Sequence, residues 1–177
     1  MKLFMFAIGG DYRNSNVELH DVRFAIGETG ADCYPELHRQ WWGDPESLHL
    51  DAWGELAQAD GHDILISNQP AEAGHAKLFF VNLGGYDGKE FGELHKNLLL
   101  VAENAKAAVA RALAQVKVWN EPHKDGVFEV DKALDLSADL ARHNLHLHLR
   151  PASAEQPFRF SCGYIPIGRM PETYPAG

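Results

Sequence analysis

Two stretches of the chain carry the same order of apolar and polar positions. KLFMFAI (residues 2 to 8) and KLFFVNL (residues 77 to 83) are apolar runs rich in β-formers, and each is followed by Gly-Gly. Such a run, stopped by turn residues, predicts a buried strand and then a turn. HDVRFAIGE (residues 20 to 28) alternates, with His20, Val22, Phe24 and Ile26 on one face and Asp21 and Arg23 on the other. Period-two alternation predicts a half-buried strand with His20 turned inward at its edge. A helix is predicted next in both places. Asn104 caps AKAAVARALAQVKVW, whose Ala105, Ala108, Val109, Ala112, Leu113 and Val116 form one stripe. The earlier stripe is Tyr34, Leu37, His38 and Trp41, in a helix running to about Trp42. Pro35 belongs in a first turn, which makes Asp32 a better cap than Thr29. SLHLDAW and VFEVDKAL predict third strands, and HDILIS and NLHLHL predict fourth strands.

The likeness extends to residue identity. At a shift of 75 with no gap, nine of the 27 positions from Lys2 to Glu28 match those from Lys77 to Glu103, including Gly9/Gly84, Gly10/Gly85, Glu18/Glu93, Leu19/Leu94 and His20/His95. Ordinary residue frequencies would give about one or two. Farther on, Leu50-Asp51 aligns with Val130-Asp131 at a shift of 80, which places about five extra residues near Trp119–Gly126. The expected fold class is therefore α+β: two tandem β-β-α-β-β repeats packed with pseudo-twofold symmetry, one main helix per repeat. Residues 1–67 form the first repeat, 68–75 a linker (NQPAEAGH), 76–150 the second repeat and 151–177 an extension packing on the body. Within the extension, FRFSCGYIPIG reads as an added strand.

Composition narrows the function classes. The formal charge of −9 and the lack of a Lys/Arg cluster argue against nucleic acid as a partner. No run approaches the roughly 20 apolar residues that cross a bilayer, and MKLFMFAIGG lacks a small-residue cleavage pattern, so it reads as a strand rather than a secretory signal. Two cysteines, Cys33 and Cys162, do not make a disulfide framework. The default setting is a reduced cytoplasm, with exposed strand edges offering a route to homo-oligomers.

KLFMFAIGG, VELHDVRFAIGET, DCYPELHRQWWGDPESLHLDAW and KLFFVNLGGY together resemble the small bacterial family catalogued as domain of unknown function 1543, whose members carry one or two copies of the domain. The resemblance covers residues 2 to 150. The second copy lacks the Tyr-Pro-x-Leu and Trp-Trp-Gly features of Tyr34–Leu37 and Trp41–Gly43. The resemblance implies a bacterial cytoplasmic protein and implies no activity or cofactor.

Among residues that could carry chemistry, Glu18 and His20 with Glu93 and His95 come first. Residues two apart on an extended chain point the same way. Two imidazoles and two carboxylates meeting at a junction of the repeats would suit Zn²⁺ or Fe²⁺. The competing reading is structural: each Glu hydrogen-bonds its His and ties the Gly-Gly loop to the second strand. The glycines themselves read as turn residues with positive φ. Neither GGDYRN nor GGYDGK has phosphate-loop spacing, and no helix follows. His146-x-His148 reads as part of a solvated face, His38 as a packed histidine, Cys33 as a buried thiol at a helix start, and Trp41-Trp42 as a packing anchor. G-x-S-x-G, H-E-x-x-H and C-x-x-C are missing. The leading expectation is thus a non-catalytic binding or interaction module. The alternative is a metal- or small-ligand-binding protein, catalytic in its fullest form, with its site at the repeat junction.

Overall fold

The computed structural model describes residues 1–71, 76–86, 88–115, 121–123, 134–141 and 144–169. In chain order the elements are β1 (Lys2–Gly10), β2 (Leu19–Gly27), α1 (Tyr34–Gln40), β3 (His49–Glu55), β4 (Gln58–Ala59), β5 (His62–Ser67), β6 (Lys77–Tyr86), β7 (Leu94–Ala102), α2 (Ala105–Ala114), β8 (Glu121–His123), β9 (Leu134–Asp135), α3 (Leu136–Ala141), β10 (His146–Pro151) and β11 (Ser161–Pro166). The fold is mixed α+β, with strands predominating. Two compact units divide it, Met1–Ala57 with the segment from Gln156, and Gln58–Glu155. No helix among the described residues is long and apolar enough to cross a membrane.

The first unit holds an antiparallel sheet in the order β11-β3-β1-β2. Alternation along β1 sends Phe4, Phe6 and Ile8 to one face. There they pack with Leu37 and Trp41 from α1 and with Leu48 and Leu50 around β3. Burying each such side chain stabilises the fold by about 1.5–3 kcal/mol. Met5, Ala7 and Gly9 are left on the opposite face. The β3 ladder shifts register between Ala7 and Ile8, so that Ile8 pairs with Leu50, Ala7 with Ala52, and Asp51 is the extra residue. The bulge keeps Leu50 in the core while turning Asp51 out beside His49. On the other edge of β3, Gly163 and Tyr164 are the unpaired residues of β11, between Cys162↔Ala52 and Ile165↔Leu50.

The second unit also holds a hairpin and a helix. Every β1–β2 pair from Lys2↔Gly27 to Gly10↔Leu19 recurs 75 residues on, from Lys77↔Ala102 to Gly85↔Leu94. The helix α2 lays Ala108, Val109 and Ala112 on Phe79, Val81, Leu83 and Leu100. Its cap is Asn104, whose side chain accepts from the Ala107 amide at 3.0 Å, as the sequence predicts. β6 also pairs with β8, and farther along with β9. The fourth strands pair with each other, His62–Ser67 against His146–Pro151, inside this unit.

Several local expectations need correction. The Gly-Gly pairs do not form turns: Gly9, Gly10, Gly84 and Gly85 lie inside strands. None of them is among the positive-φ glycines, which are Gly61, Gly88, Gly92 and Gly163 among the described residues. Asp32 does not cap α1. It folds back to accept from the Thr29 amide at 2.7 Å and the Thr29 hydroxyl at 2.8 Å, two bonds that hold its carboxyl below the usual range. A 3-10 turn, Ala31–Cys33, precedes the helix, whose N-cap Cys33 makes no side-chain cap bond. The helix ends at Gln40, with Trp41 as its C-cap in extended conformation. The third strand expected at VFEVDKAL lies outside the described residues except for Leu134, as do residues 116–119 of the expected second helix; α2 itself ends at Ala114 with Gln115 as its C-cap.

Candidate metal centre

Gly9 is the floor of the site. It pairs with His20 on β2 and with His49 on β3, so two histidines flank one glycine across three strands. Directly opposed residues in an antiparallel sheet lie side by side on the same face. A Cβ at Gly9 would stand 2.7 Å from His49 Nε2 and 2.9 Å from His20 Cδ2. Glycine is therefore required here for the close approach of two imidazoles rather than for backbone freedom.

Glu18, at the entry to β2, and Asp51, at the β3 bulge, complete the group. His20 Nε2 is 3.3 Å from Glu18 Oε1 and 3.3 Å from Asp51 Oδ2. His49 Nε2 is 3.5 Å from Glu18 Oε2 and 3.5 Å from Asp51 Oδ1. One donor atom each from Glu18, His20 and His49 lies within 4.8 Å of the other two. With bonds of roughly 2.1 Å, a tetrahedral Zn²⁺ holds neighbouring donors about 3.4 Å apart. The four histidine–carboxylate distances are of that size, each to a different carboxylate oxygen.

His49 is the anchor. Its side chain is 2% exposed, its ring lies 4.4 Å from that of Tyr164, and its Nδ1 sits 2.9 Å from the Ser47 carbonyl. A carbonyl only accepts, so Nδ1 carries a proton, and Nε2 faces the two carboxylates. Nε2 has no hydrogen-bond partner, and neither has the buried Asp51 Oδ2. The carboxylates lie close enough to attract charge but without hydrogen-bond geometry. A lone pair buried against anionic oxygens is unfavourable unless a cation or a second ring proton lies between them. An imidazole fixed by a bond from its other nitrogen to a carbonyl is the usual support of a metal ligand.

The residues singled out from the sequence separate into two groups. Glu18 and His20 come together and are joined by His49 and Asp51, which sequence reasoning missed. His20 does not turn inward; its side chain is 55% exposed and forms the solvent side of the cluster. Glu93 and His95 lie in the second unit, with His95 Nε2 3.7 Å from Glu93 Oε2. His95 Nδ1 meets Asn82 Oδ1 at 3.1 Å. His148 is not simply solvated, since its Nε2 contacts Ser67 Oγ at 2.9 Å and the Gln69 carbonyl at 3.0 Å. His38 is packed, its Nε2 bonded to the Ile167 carbonyl. Trp41 is buried with its Nε1 on the Asp44 carbonyl at 3.0 Å, and the exposed Trp42 stacks on it. Cys33 is a buried thiol, and burial pushes it up to about 12 despite its place at a helix start.

A cleft of about 400 Å³, lined by Phe4, Tyr34, Trp53, Glu55, Arg159 and Phe160 among others, lies elsewhere in the first unit and shares no residue with the cluster. The cluster is a shallow surface site with one deeply set imidazole.

Residues 15–66, which include all four members of the cluster, match the model of the family described as Domain of Unknown Function (DUF1543). No curated protein matches the chain. Among solved structures the chain is similar to protein Il1583 from Idiomarina loihiensis, at 27% identity and a TM-score of 0.67, covering 97% of this chain and 99% of that one.

Proposed function

We propose that the protein binds a divalent transition-metal ion of the zinc or iron(II) kind through Glu18, His20, His49 and Asp51. The observation that carries this reading is the buried His49 Nε2, unpartnered among two carboxylates and a second imidazole. Imidazole and carboxylate donors without thiolate suit Zn²⁺, Fe²⁺ and Ni²⁺ rather than Cu⁺ or an iron–sulfur cluster. The reading keeps the binding-module expectation and seats the site within one unit. It assigns no bond-making step. The test is metal content after exposure of chelator-stripped protein to Zn²⁺, Fe²⁺ or Ni²⁺ and removal of excess ion. Replacing Glu18 by Gln and His20 by Ala touches only part-exposed groups. That variant should lose one ion per chain while its melting temperature in chelator stays within a few degrees. An unchanged metal content in the variant would refute the assignment, and so would a wild type that takes up no ion.

The same reading includes a tandem organisation of two β-β-α-β-β copies. Three equivalences support it. The hairpin registers match at a shift of 75. Gly9 and Gly84 each pair with two histidines, and the second of these, His49 and His123, are 74 apart. Phe4 pairs with Glu55 and Phe79 with Asp135, a shift of 80 between partners that bond Lys2 and Lys77 respectively, each at 2.7 Å. The change from 74 to 80 sets six extra residues between His123 and Asp135 in the second copy.

A further inference from the structure

We propose that the cleft of the first unit binds a small planar aromatic carboxylate, with Arg159 as the group that takes its charge. The cleft shares no residue with the metal cluster, so the two sites stand or fall separately. Its volume of about 400 Å³ lies within the range that small-molecule sites occupy. Phe4 and Phe6 on β1 form its floor, both buried, with ring centroids 6.1 Å apart. Tyr34 at the start of α1 and Trp53 on β3 add two half-buried rings to its walls. Walls of this kind favour a flat ring, which they meet by offset stacking or edge contact.

Charge selects the other end of the ligand. Among the described residues, the charged ones lining the cleft are Glu55 and Arg159. Glu55 is neutralised by Lys2, whose Nζ donates to Glu55 Oε2 at 2.7 Å. Arg159 has no ion-pair partner among the described residues. The cleft therefore keeps one uncompensated positive charge in a chain whose formal charge is −9. A guanidinium meets a carboxylate through two parallel N–H donors, a match that a cationic or neutral ligand cannot make. Backbone packing holds this wall in place. Ser161 pairs with Trp53, and a Cβ at Gly54 would stand 2.5 Å from the Arg159 carbonyl oxygen. Glycine at 54 thus lets the segment entering β11 close onto β3, which fixes where Arg159 leaves the chain.

The experiment is isothermal titration of the chelator-stripped full chain with naphthalene-2-carboxylate, 2-naphthylmethanol and 2-naphthylmethylammonium. Stripping ensures that a carboxylate held by a metal is not mistaken for this site. Wild type should bind the carboxylate about tenfold or more tightly than the alcohol, and the ammonium least of all. R159Q changes an exposed side chain and leaves the core intact. It should weaken the carboxylate about tenfold or more and leave the alcohol unchanged. Arg169 is also exposed and lies outside the cleft, so R169Q, with the same net charge as R159Q, should bind as wild type does. G30L tests the place. Gly30 has φ −61, which any residue adopts, and its Cβ would meet only the Phe4 ring, at 4.0 Å. The added side chain should fill the cleft and abolish binding of carboxylate and alcohol alike, with the protein still folded by its melting temperature. No carboxylate binding by wild type at millimolar concentration overturns the proposal. So does equal or tighter binding of the alcohol or ammonium, or undiminished carboxylate binding in R159Q or in folded G30L. A loss in R169Q as large as that in R159Q marks attraction to net charge alone and overturns it too.

Discussion

Gly9→Ala is the sharpest single perturbation of the cluster. The added Cβ would sit 2.7 Å from His49 Nε2 and 2.9 Å from His20 Cδ2. Ordinary contact begins at about 3.4 Å, so one ring or the strand must give by about 0.5–0.7 Å. His20 has room to swing into solvent. His49 does not, held by the Ser47 carbonyl at 2.9 Å and covered by Tyr164. Overpacking of this size costs roughly 1–3 kcal/mol. The effect on an ion should be proportionally larger, because metal–ligand distances tolerate only about ±0.2 Å. Displacing a supported ligand lowers affinity about 10–100-fold. The assay is competition for Zn²⁺ against a chromogenic chelator, run well below the melting temperature. Gly30→Ala is the control: its Cβ would meet only the Phe4 ring at 4.0 Å, and it should leave affinity unchanged. If folded Gly9→Ala binds Zn²⁺ as tightly as its parent, the claim that two imidazoles converge on a cation over Gly9 is wrong.

Other outcomes follow from the same geometry. The two thiols should differ in reactivity at pH 8: Cys162 is exposed and should react fast with a disulfide reagent, whereas buried Cys33, pushed up to about 12, should react only on unfolding; equal rates would refute this. Because Cys33 ionises more readily in the unfolded chain, stability should fall between its unfolded pKa of about 8.5 and about 12, and Cys33→Ser should flatten that fall in urea titrations. Asp60 accepts from the Val101 amide at 2.7 Å and from Arg111 at 2.7 and 2.8 Å, which raises the pKa of Arg111. Asp60→Ala should cost about 1–2 kcal/mol in equilibrium unfolding and Asp60→Asn less, since the amide can still accept from Val101; a loss under about 0.5 kcal/mol would show the network to be idle. Bound Zn²⁺ at 100 times its Kd should raise unfolding free energy by about 2.7 kcal/mol per site, and a melting temperature indifferent to zinc would contradict specific binding.

Periodicity made the hairpins and helices legible. The runs at 2–8 and 77–83, the alternation from His20 and the cap at Asn104 each depend on neighbours in sequence. Glu18 and His20 were found for the same reason, being two apart on one strand. His49 and Asp51 were not, because they meet His20 only through the pairing of β1 with both neighbours, and sequence distance carries no trace of that. The signal that could have revealed them is the His-x-Asp of His49-Leu-Asp51, which recurs as His123-Lys-Asp125. The glycines were misread because a residue needed for closeness and one needed for a turn look alike on paper. Asp32 was misread because a carboxylate near a helix start can bond backward to a Thr as well as forward to a helix amide.

The pairing of β5 with β10 sets the order in which the chain can be completed. Ser67 bonds across to His146 and His62 to Pro151, separations of 79 and 89 residues, and β3 gains its outer neighbour only when Ser161 reaches Trp53, 108 residues away. During synthesis the first hairpin can form early, but the outer edge of β5 must wait for His146–Pro151 to be made. A nascent chain halted after Ser67 would present β5 as a bare edge, open to annealing with the same segment of a neighbour. Residues 1–67, which read as self-contained text, stay unfinished at their strand edges until the later strands exist.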